Sequence, residues 1–295
     1  MPEEHAVAGR PVVIAGRSVV VTGAASGLGA ALALEAARRG AARVSLIDVD
    51  RPALKATADQ ISATGAAADL YECDIADADA VGRTAGLIVE RGGSPGLVCA
   101  NAGVAPAFGP ALPTPISDLH WAFSVNVIGT IATVAAFGQA MADADDDGWF
   151  LVTGSEHSLG VPHPGMIAYT ASKHALLGYC DVLRSELPAH LGLSLLCPGL
   201  LATRLWCSGR ARSARHGGPF EGDRATAAVM ARGLDPRAAA AAGLSGVERR
   251  QFLIVTHATT AAVARARQRS VERALSALSA DAGQETDAGQ ESEPA

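Results

Sequence analysis

SVVVTGAASGLGAALALEAARRG, residues 18–40, is the stretch on which the reading of the fold turns. Ser18–Val21 is a β-branched run with the composition of a buried strand. Thr22-Gly23-Ala24-Ala25-Ser26-Gly27-Leu28-Gly29 is a glycine-containing turn, and Ala30–Arg39 is an Ala/Leu-rich helix that Gly40 stops. Three glycines between a strand and a helix let the backbone turn tightly, approach a pyrophosphate and pack the helix close to the sheet. The free N–H groups at the start of the helix would then face the phosphates.

Outward from this unit the alternation continues. Strands are predicted at Arg43–Ile47, Ala68–Cys73, Leu97–Ala100, Trp149–Thr153, Leu193–Cys197 and Gln251–Val255. Helices are predicted at Arg51–Thr64, Ala78–Arg91 and Ala168–Leu187, with a long uncharged helix over Trp121–Ala142. Apolar strands separated by helices imply a parallel sheet covered on both faces. The expectation is an α/β fold: one doubly wound (Rossmann) sheet of about seven strands. The domain is expected to span 12–279, after a flexible N-terminal segment at 1–11 and before a disordered acidic tail at 280–295. That tail contains DAGQE twice, at Asp281–Glu285 and Asp287–Glu291. Residues 200–246, rich in Arg, Gly and Ala and including RSARHGGPFEGDR at 212–224, lie beyond a strand end and are expected to form a lid.

Composition narrows the function. With 24 Lys+Arg against 30 Asp+Glu the formal charge is −6, and no basic block offers phosphate neutralisation, so nucleic acid and anionic membranes are not expected partners. Hydrophobic residues reach 49% and charged residues 18%, enough for a sizeable core. Five scattered cysteines without a CxxC pair argue against a disulfide framework or zinc site, and for a reducing cytoplasm. The first residues, MPEEHAVAGR, lack the pattern of a signal peptide. Trp121–Ala142 carries no charge but holds Ser124, Asn126, Thr130, Thr133 and Gln139, so it is expected to be a helix buried in protein, partly by another subunit, with no membrane role.

Two further features carry chemistry. Asp48 ends the second strand nineteen residues after Gly29. A carboxylate there can accept both ribose hydroxyls of an adenosine and would repel a 2′-phosphate, which favours NAD(H) over NADP(H). Tyr169-Thr170-Ala171-Ser172-Lys173 places a phenol and an ammonium four residues apart, on one helix face. A free phenol titrates near 10, and an adjacent cation, like an oxidised nicotinamide ring, favours the phenolate. Such a tyrosine could take the proton of an alcohol as hydride leaves for a cofactor.

Together, TGxxxGxG, Asn101-Ala102-Gly103 after the fourth strand and YxxxK resemble the short-chain dehydrogenase/reductase family over about Ala15–Thr203, more loosely to His257. The resemblance implies dinucleotide contacts at Gly23, Ser26, Gly27, Leu28, Gly29 and Asp48, with Asp74 and Ile75 beside the adenine. It implies further contacts at Asn101, Ala102, Gly103, Tyr169, Lys173, Pro198, Gly199 and Thr203. Asn126 corresponds to the residue that kinks the central helix and holds a relay water. Ala100 departs from the more usual first Asn. The catalytic serine departs too: its usual position, thirteen before the tyrosine, is Glu156. A one-residue loop extension would restore Ser155; Ser158 is the alternative, and Glu156 is disfavoured because a carboxylate repels a forming alkoxide.

The expected function is NAD(H)-dependent interconversion of a secondary alcohol and a ketone, with Tyr169 as general acid/base. Alternatives are a catalytically silent dinucleotide-binding protein and a reductase of an imine or enone. His157, Pro162, His163, Leu200, Leu205 and Trp206 are expected to line a pocket for an apolar, mid-sized substrate. His157 and His163 have no recognised metal-ligand spacing, and no metal is expected. GxSxG is absent around Ser155, which argues against a serine hydrolase. By the same resemblance, subunits would pair through the two long helices as a homodimer or homotetramer.

Overall fold

β1 (Ser18–Thr22) is buried on both faces, Val19 and Val21 pointing into one apolar core and Val20 into the other. This two-sided burial explains the unbroken β-branched run. The structure, a computed structural model, describes residues 11–144 and 146–288. Seven parallel strands lie in the order β3-β2-β1-β4-β5-β6-β7. They are β1, β2 (Arg43–Asp48), β3 (Ala67–Glu72), β4 (Leu97–Ala100), β5 (Gly148–Thr153), β6 (Leu191–Cys197) and β7 (Leu253–Val255). The doubly wound α/β fold is therefore observed.

One face carries α1 (Gly27–Arg38), α2 (Arg51–Ser62) and α9 (Pro236–Glu248). The other carries α3 (Ala78–Gly92), α4 (Ile116–Phe123), α5 (Thr130–Asp143) and α7 (Ile167–Glu186). Small residues on α1 and α9, among them Ala33, Ala36, Ala239 and Ala240, let these helices approach closely. Arg39 then joins them, pairing with Glu35 (3.0 Å) and Glu248 (2.7 Å) and donating to the Ala241 carbonyl (3.0 Å). All five cysteines are buried thiols, consistent with their apolar surroundings.

Several expectations need correction. The proposed lid at 200–246 is too long, because Pro236–Glu248 is a core helix whose Ala-rich face packs on α1. Its remainder forms 3₁₀ turns at Leu205–Ala211 and Ala214–His216 and helix α8 (Arg224–Met230). A one-turn helix, α6 (Glu156–Leu159), interrupts the segment expected to be loop. Helix α10 (Thr260–Ala288) continues into the segment expected to be disordered; its alanines favour helix without needing a core. Residues 1–10 and 289–295, which hold most of the expected flexible N-terminal segment and the end of the acidic tail, lie outside the described residues.

The helix expected over the uncharged stretch Trp121–Ala142 spans Ile116–Asp143, and more than half of its most apolar stretch is covered by protein. Between α4 and α5, residues Ser124–Gly129 form a π-helical turn. A wider turn of this kind bends the helix and often marks a functional site.

Trp149 of β5 lies directly opposite Gly192 of β6. Its indole N–H donates to the Ser194 hydroxyl (2.9 Å), which donates to the Gln251 carbonyl (2.6 Å). A Cβ at position 192 would enter the indole ring. We expect Gly192→Ala to lower stability by about 1–3 kcal/mol through overpacking, measured as a lower denaturant midpoint with an unchanged slope.

Candidate active site

The glycine turn builds one end of a cleft. Gly23 and Gly27 have φ of +69° and +56°, values that L side chains rarely adopt. A Cβ on Gly29 would collide with the Gly23 carbonyl oxygen. The turn is therefore bare backbone at the N-terminus of α1. Asp48 fastens it to β2, accepting N–H bonds from Ala25 (3.0 Å), Val49 (2.7 Å) and Asp50 (3.1 Å).

Thr22 connects this turn to the next strand. Its hydroxyl accepts the N–H groups of Asn101 (2.9 Å) and Ala102 (3.1 Å), and its carbonyl accepts from the Asn101 amide (3.1 Å). The Asn101 side-chain oxygen accepts from the Thr153 hydroxyl (3.1 Å), which brings in the end of β5. The third wall is Pro198-Gly199, after β6. The Gly199 N–H donates to His257 Nδ1 (3.1 Å), while the opposite ring nitrogen meets the Leu200 carbonyl at 3.1 Å. A carbonyl only accepts, so Nε2 carries the hydrogen.

At the far end, Ser155 caps α6, its hydroxyl accepting the His157 N–H at 3.2 Å. The same side chain lies near enough to the Tyr169 phenol to lower its pKa as a hydrogen-bonding neighbour. Ser158 points elsewhere: it donates to the Lys173 carbonyl (2.8 Å) and accepts the Ser155 N–H (3.2 Å). Glu156 accepts from the Thr260 hydroxyl (3.3 Å), and its N–H donates to the Pro198 carbonyl (2.8 Å). Of the three residues considered for the serine position, Ser155 is the one on the phenol. Lys173 stands 5.7 Å from the Tyr169 ring centre and donates to the Thr153 carbonyl (2.8 Å).

A single cavity of about 1300 Å³ contains both ends. Every residue expected to contact a dinucleotide lines it, as do Ser155, His157, His163, Leu200, Leu205 and Trp206. Pro162 and Asn126 do not. Asn126 is fully buried; its amide donates to the Val104 carbonyl (3.0 Å) and Ser172 hydroxyl (2.9 Å) and its oxygen accepts the Val104 N–H (2.7 Å). Its side chain ties the helix bend to the loop after β4, a structural role the sequence does not reveal.

Charge in this site is governed by burial. Desolvation pushes the Tyr169 phenol up to about 12; the Ser155 hydrogen bond lowers it and the Glu156 charge raises it. Desolvation also lowers the Lys173 ammonium to about 8. The expected downward pull of Lys173 on the phenol is thus outweighed in the protein alone. Burial lowers His157 to about 4, so its ring is neutral at pH 7; it bonds Thr170 through Nδ1 (2.8 Å) and meets the Tyr169 ring edge to face at 5.2 Å.

A dinucleotide fits: a glycine turn at a helix N-terminus and a strand-end carboxylate line the same cavity as a buried Tyr/Lys pair. Fold and site together define a dinucleotide-binding oxidoreductase architecture. Residues 17–213 match the family described as short chain dehydrogenase, and the chain belongs to that family. These are oxidoreductases that use a nicotinamide dinucleotide.

A relative in Mycobacterium bovis, "Probable oxidoreductase EphD", is 37% identical over 203 residues, which cover 68% of this chain and 34% of that protein. The matched part is thus about a third of that relative's length. A "1-deoxy-11-beta-hydroxypentalenate dehydrogenase" of Streptomyces arenae is 36% identical over 193 residues, 63% of this chain and 68% of that protein. Among solved structures, a short chain dehydrogenase/reductase from Burkholderia phymatum in complex with NAD superposes with a TM-score of 0.82 at 30% identity, covering 88% of this chain and 95% of that one. An alcohol dehydrogenase from Thermococcus sibiricus complexed with 5-hydroxy-NADP shares the fold at a TM-score of 0.68 and 24% identity, covering 81% and 95%.

Because the Glu156 charge raises the Tyr169 phenol, Glu156→Gln should move its titration to lower pH. An ultraviolet difference titration against Tyr169→Phe checks this: the signal absent from Tyr169→Phe belongs to this phenol.

Proposed function

We propose that the protein is an NAD(H)-dependent oxidoreductase that interconverts a secondary alcohol and a ketone. The observation that carries this reading is the meeting of the Ser155 hydroxyl, the Tyr169 phenol and the Lys173 ammonium in the cavity whose opposite end is the glycine turn. A bound nicotinamide dinucleotide supplies or accepts the hydride.

The turn from Gly23 to Gly29 would receive the pyrophosphate on Ser26, Gly27, Leu28 and Gly29, and Asp48 would accept the adenosine ribose hydroxyls. Asp74 and Ile75 would hold the adenine. Pro198, Gly199 and Thr203 would hold the carboxamide, with Asn101, Ala102 and Gly103 as the wall between the two halves. Ser155 donates a hydrogen bond to the substrate oxygen, where charge develops. In reduction, Tyr169 donates its proton to that oxygen, and the raised pKa keeps this proton in place at neutral pH. In oxidation, Tyr169 must first be a phenolate, which the positive charges of Lys173 and the oxidised nicotinamide favour over the opposing burial. Asn126 acts at one remove, by fixing the helix bend and the loop of Val104.

Val104, Ala105, Phe108, Met166, Leu205 and Trp206 make much of the remaining cavity wall apolar, with His157 and His163 as polar points. This suits an apolar, mid-sized alcohol or ketone. Reduction of an imine or enone would use the same groups. The closeness of Ser155 to the phenol supports turnover over a catalytically silent dinucleotide-binding protein. Exposed Ile128 on the π-helical turn and Val182 on α7 suit pairing of subunits as a homodimer or homotetramer.

Tyr169→Phe should lower turnover by roughly 10²- to 10⁴-fold while NADH still binds, followed by cofactor absorbance and by fluorescence. Full activity in that variant would exclude Tyr169 as the acid/base. NAD⁺ should outperform NADP⁺ in kcat/KM, and Asp48→Asn should narrow the ratio on the order of tenfold by removing repulsion of the 2′-phosphate.

A further inference from the structure

Within the part of the 200–246 insertion that precedes α9, Leu205 and Trp206 line the cavity on the substrate side, while Arg215 reaches Asp74 at the adenosine end. We propose that Arg215 is a cofactor-retaining residue: the arm that bears it closes over the adenosine half of the dinucleotide and is fastened there at Asp74. The inference rests on the dinucleotide reading of the cleft given above.

The arm has a fixed root. Arg212 is 8% exposed, pairs with Asp118 of α4 at 2.7 Å, and lies 5.2 Å and 5.7 Å from the ring centres of Trp121 and Phe220. These two rings meet edge to face at 5.8 Å. A buried guanidinium needs such a partner, and the aromatic faces add cation–π attraction. Next to it, the Ser208 hydroxyl bonds both the N–H (3.1 Å) and the carbonyl (3.2 Å) of Ala105. The insertion is therefore held to the loop after β4 and to α4.

From this root, Ala214–His216 turns once and the chain reverses at Gly217 and Gly218, with φ of +104° and +79°. At the tip, Arg215 Nε donates to His216 Nε2 (3.1 Å), which steadies the guanidinium. Arg215 Nη2 stands 3.5 Å from Asp74 Oδ2, across the cleft at the end of β3. The arm thus bridges two walls, with Ser213 and His216 forming part of the cavity surface beneath it. Asp74 accepts the Ala76 N–H (3.0 Å) on its other oxygen. A carboxylate has about four acceptor sites, so Asp74 can hold Arg215 and an adenine amino group together.

Both partners of the pair are about half exposed, 50% and 46%. Such a pair is weak and salt-sensitive, the property of a latch that opens at each exchange of cofactor. The arm's root stays fixed while its tip lets go.

Stopped-flow fluorescence of NADH release from the wild-type chain, Arg215→Ala and Arg215→Lys, over a series of NaCl concentrations, tests this. Arg215→Ala should release NADH about fivefold faster at low salt, and its rate should be insensitive to salt. The wild-type rate should climb with salt toward that of Arg215→Ala, with Arg215→Lys between them. Equal rates for wild type and Arg215→Ala at every salt concentration would overturn the proposal. So would faster release with the wild-type salt dependence retained, because that would mark a loosened loop in place of a lost ion pair. NADH binding without alcohol turnover would defeat the proposed function and leave this result standing; a wild-type chain that binds no NADH would defeat both.

Discussion

At the end of β1, the Thr22 hydroxyl accepts two backbone N–H groups from the segment after β4, and the Thr22 carbonyl accepts the Asn101 amide. These bonds span the point where the chain, having laid β2 and β3 to one side of β1, begins to lay β4 to β7 on the other. Loops leave the two halves in opposite directions there, and a crevice results. This tie extends the β1–β4 pairing of the sheet into the glycine turn and the 101–103 wall. Thr153 extends the frame to β5, and its carbonyl receives the Lys173 ammonium. The cofactor end and the chemical end of the cleft are thereby referenced to the same few backbone groups.

The price of a dry site is visible in its charges. Tyr169 and Lys173 are 9% and 3% exposed, and burial displaces each toward its neutral form. The polar groups around them are tied to the backbone. Lys173, Ser172, Ser158 and Asn126 all hydrogen-bond backbone carbonyls or one another. Those bonds hold the reacting groups in place, which is what electrostatic preorganisation requires. The π-helical turn around Asn126 belongs to the same arrangement, since it bends the long helix where Asn126 must reach Val104 and Ser172.

The insertion before α9 has the composition of a loose segment, with glycines, arginines and little apolar surface. Its order comes from a few polar anchors, of which Arg212 is the most buried. Arg212, set against the touching rings of Trp121 and Phe220 and paired with Asp118, acts as a polar core for a region with little apolar core of its own. Substrate-side and adenosine-side contacts then hang from the same anchor, so opening at one end need not disturb the other.

The sequence alone determined the sheet, its parallel sense and the positions of the glycine turn, Asp48 and the Tyr169/Lys173 pair. Those are local patterns: β-branched runs buried on two faces, a turn that only glycine can make, and a four-residue spacing that shares a helix face. Tertiary structure decided what depends on distant partners. The sequence favours Ser155 only by supposing a one-residue loop extension and leaves Ser158 as the alternative; in the fold the second is absorbed by the Lys173 carbonyl and the first is left beside the phenol. Asn126 became a brace because Val104 and Ser172 meet it from other elements. Ala-rich Pro236–Glu248 became core because α1 offers a face of small side chains. The balance at Tyr169 was misjudged from spacing for a related reason: proximity to a cation can be read along a helix, whereas desolvation depends on everything that packs around it.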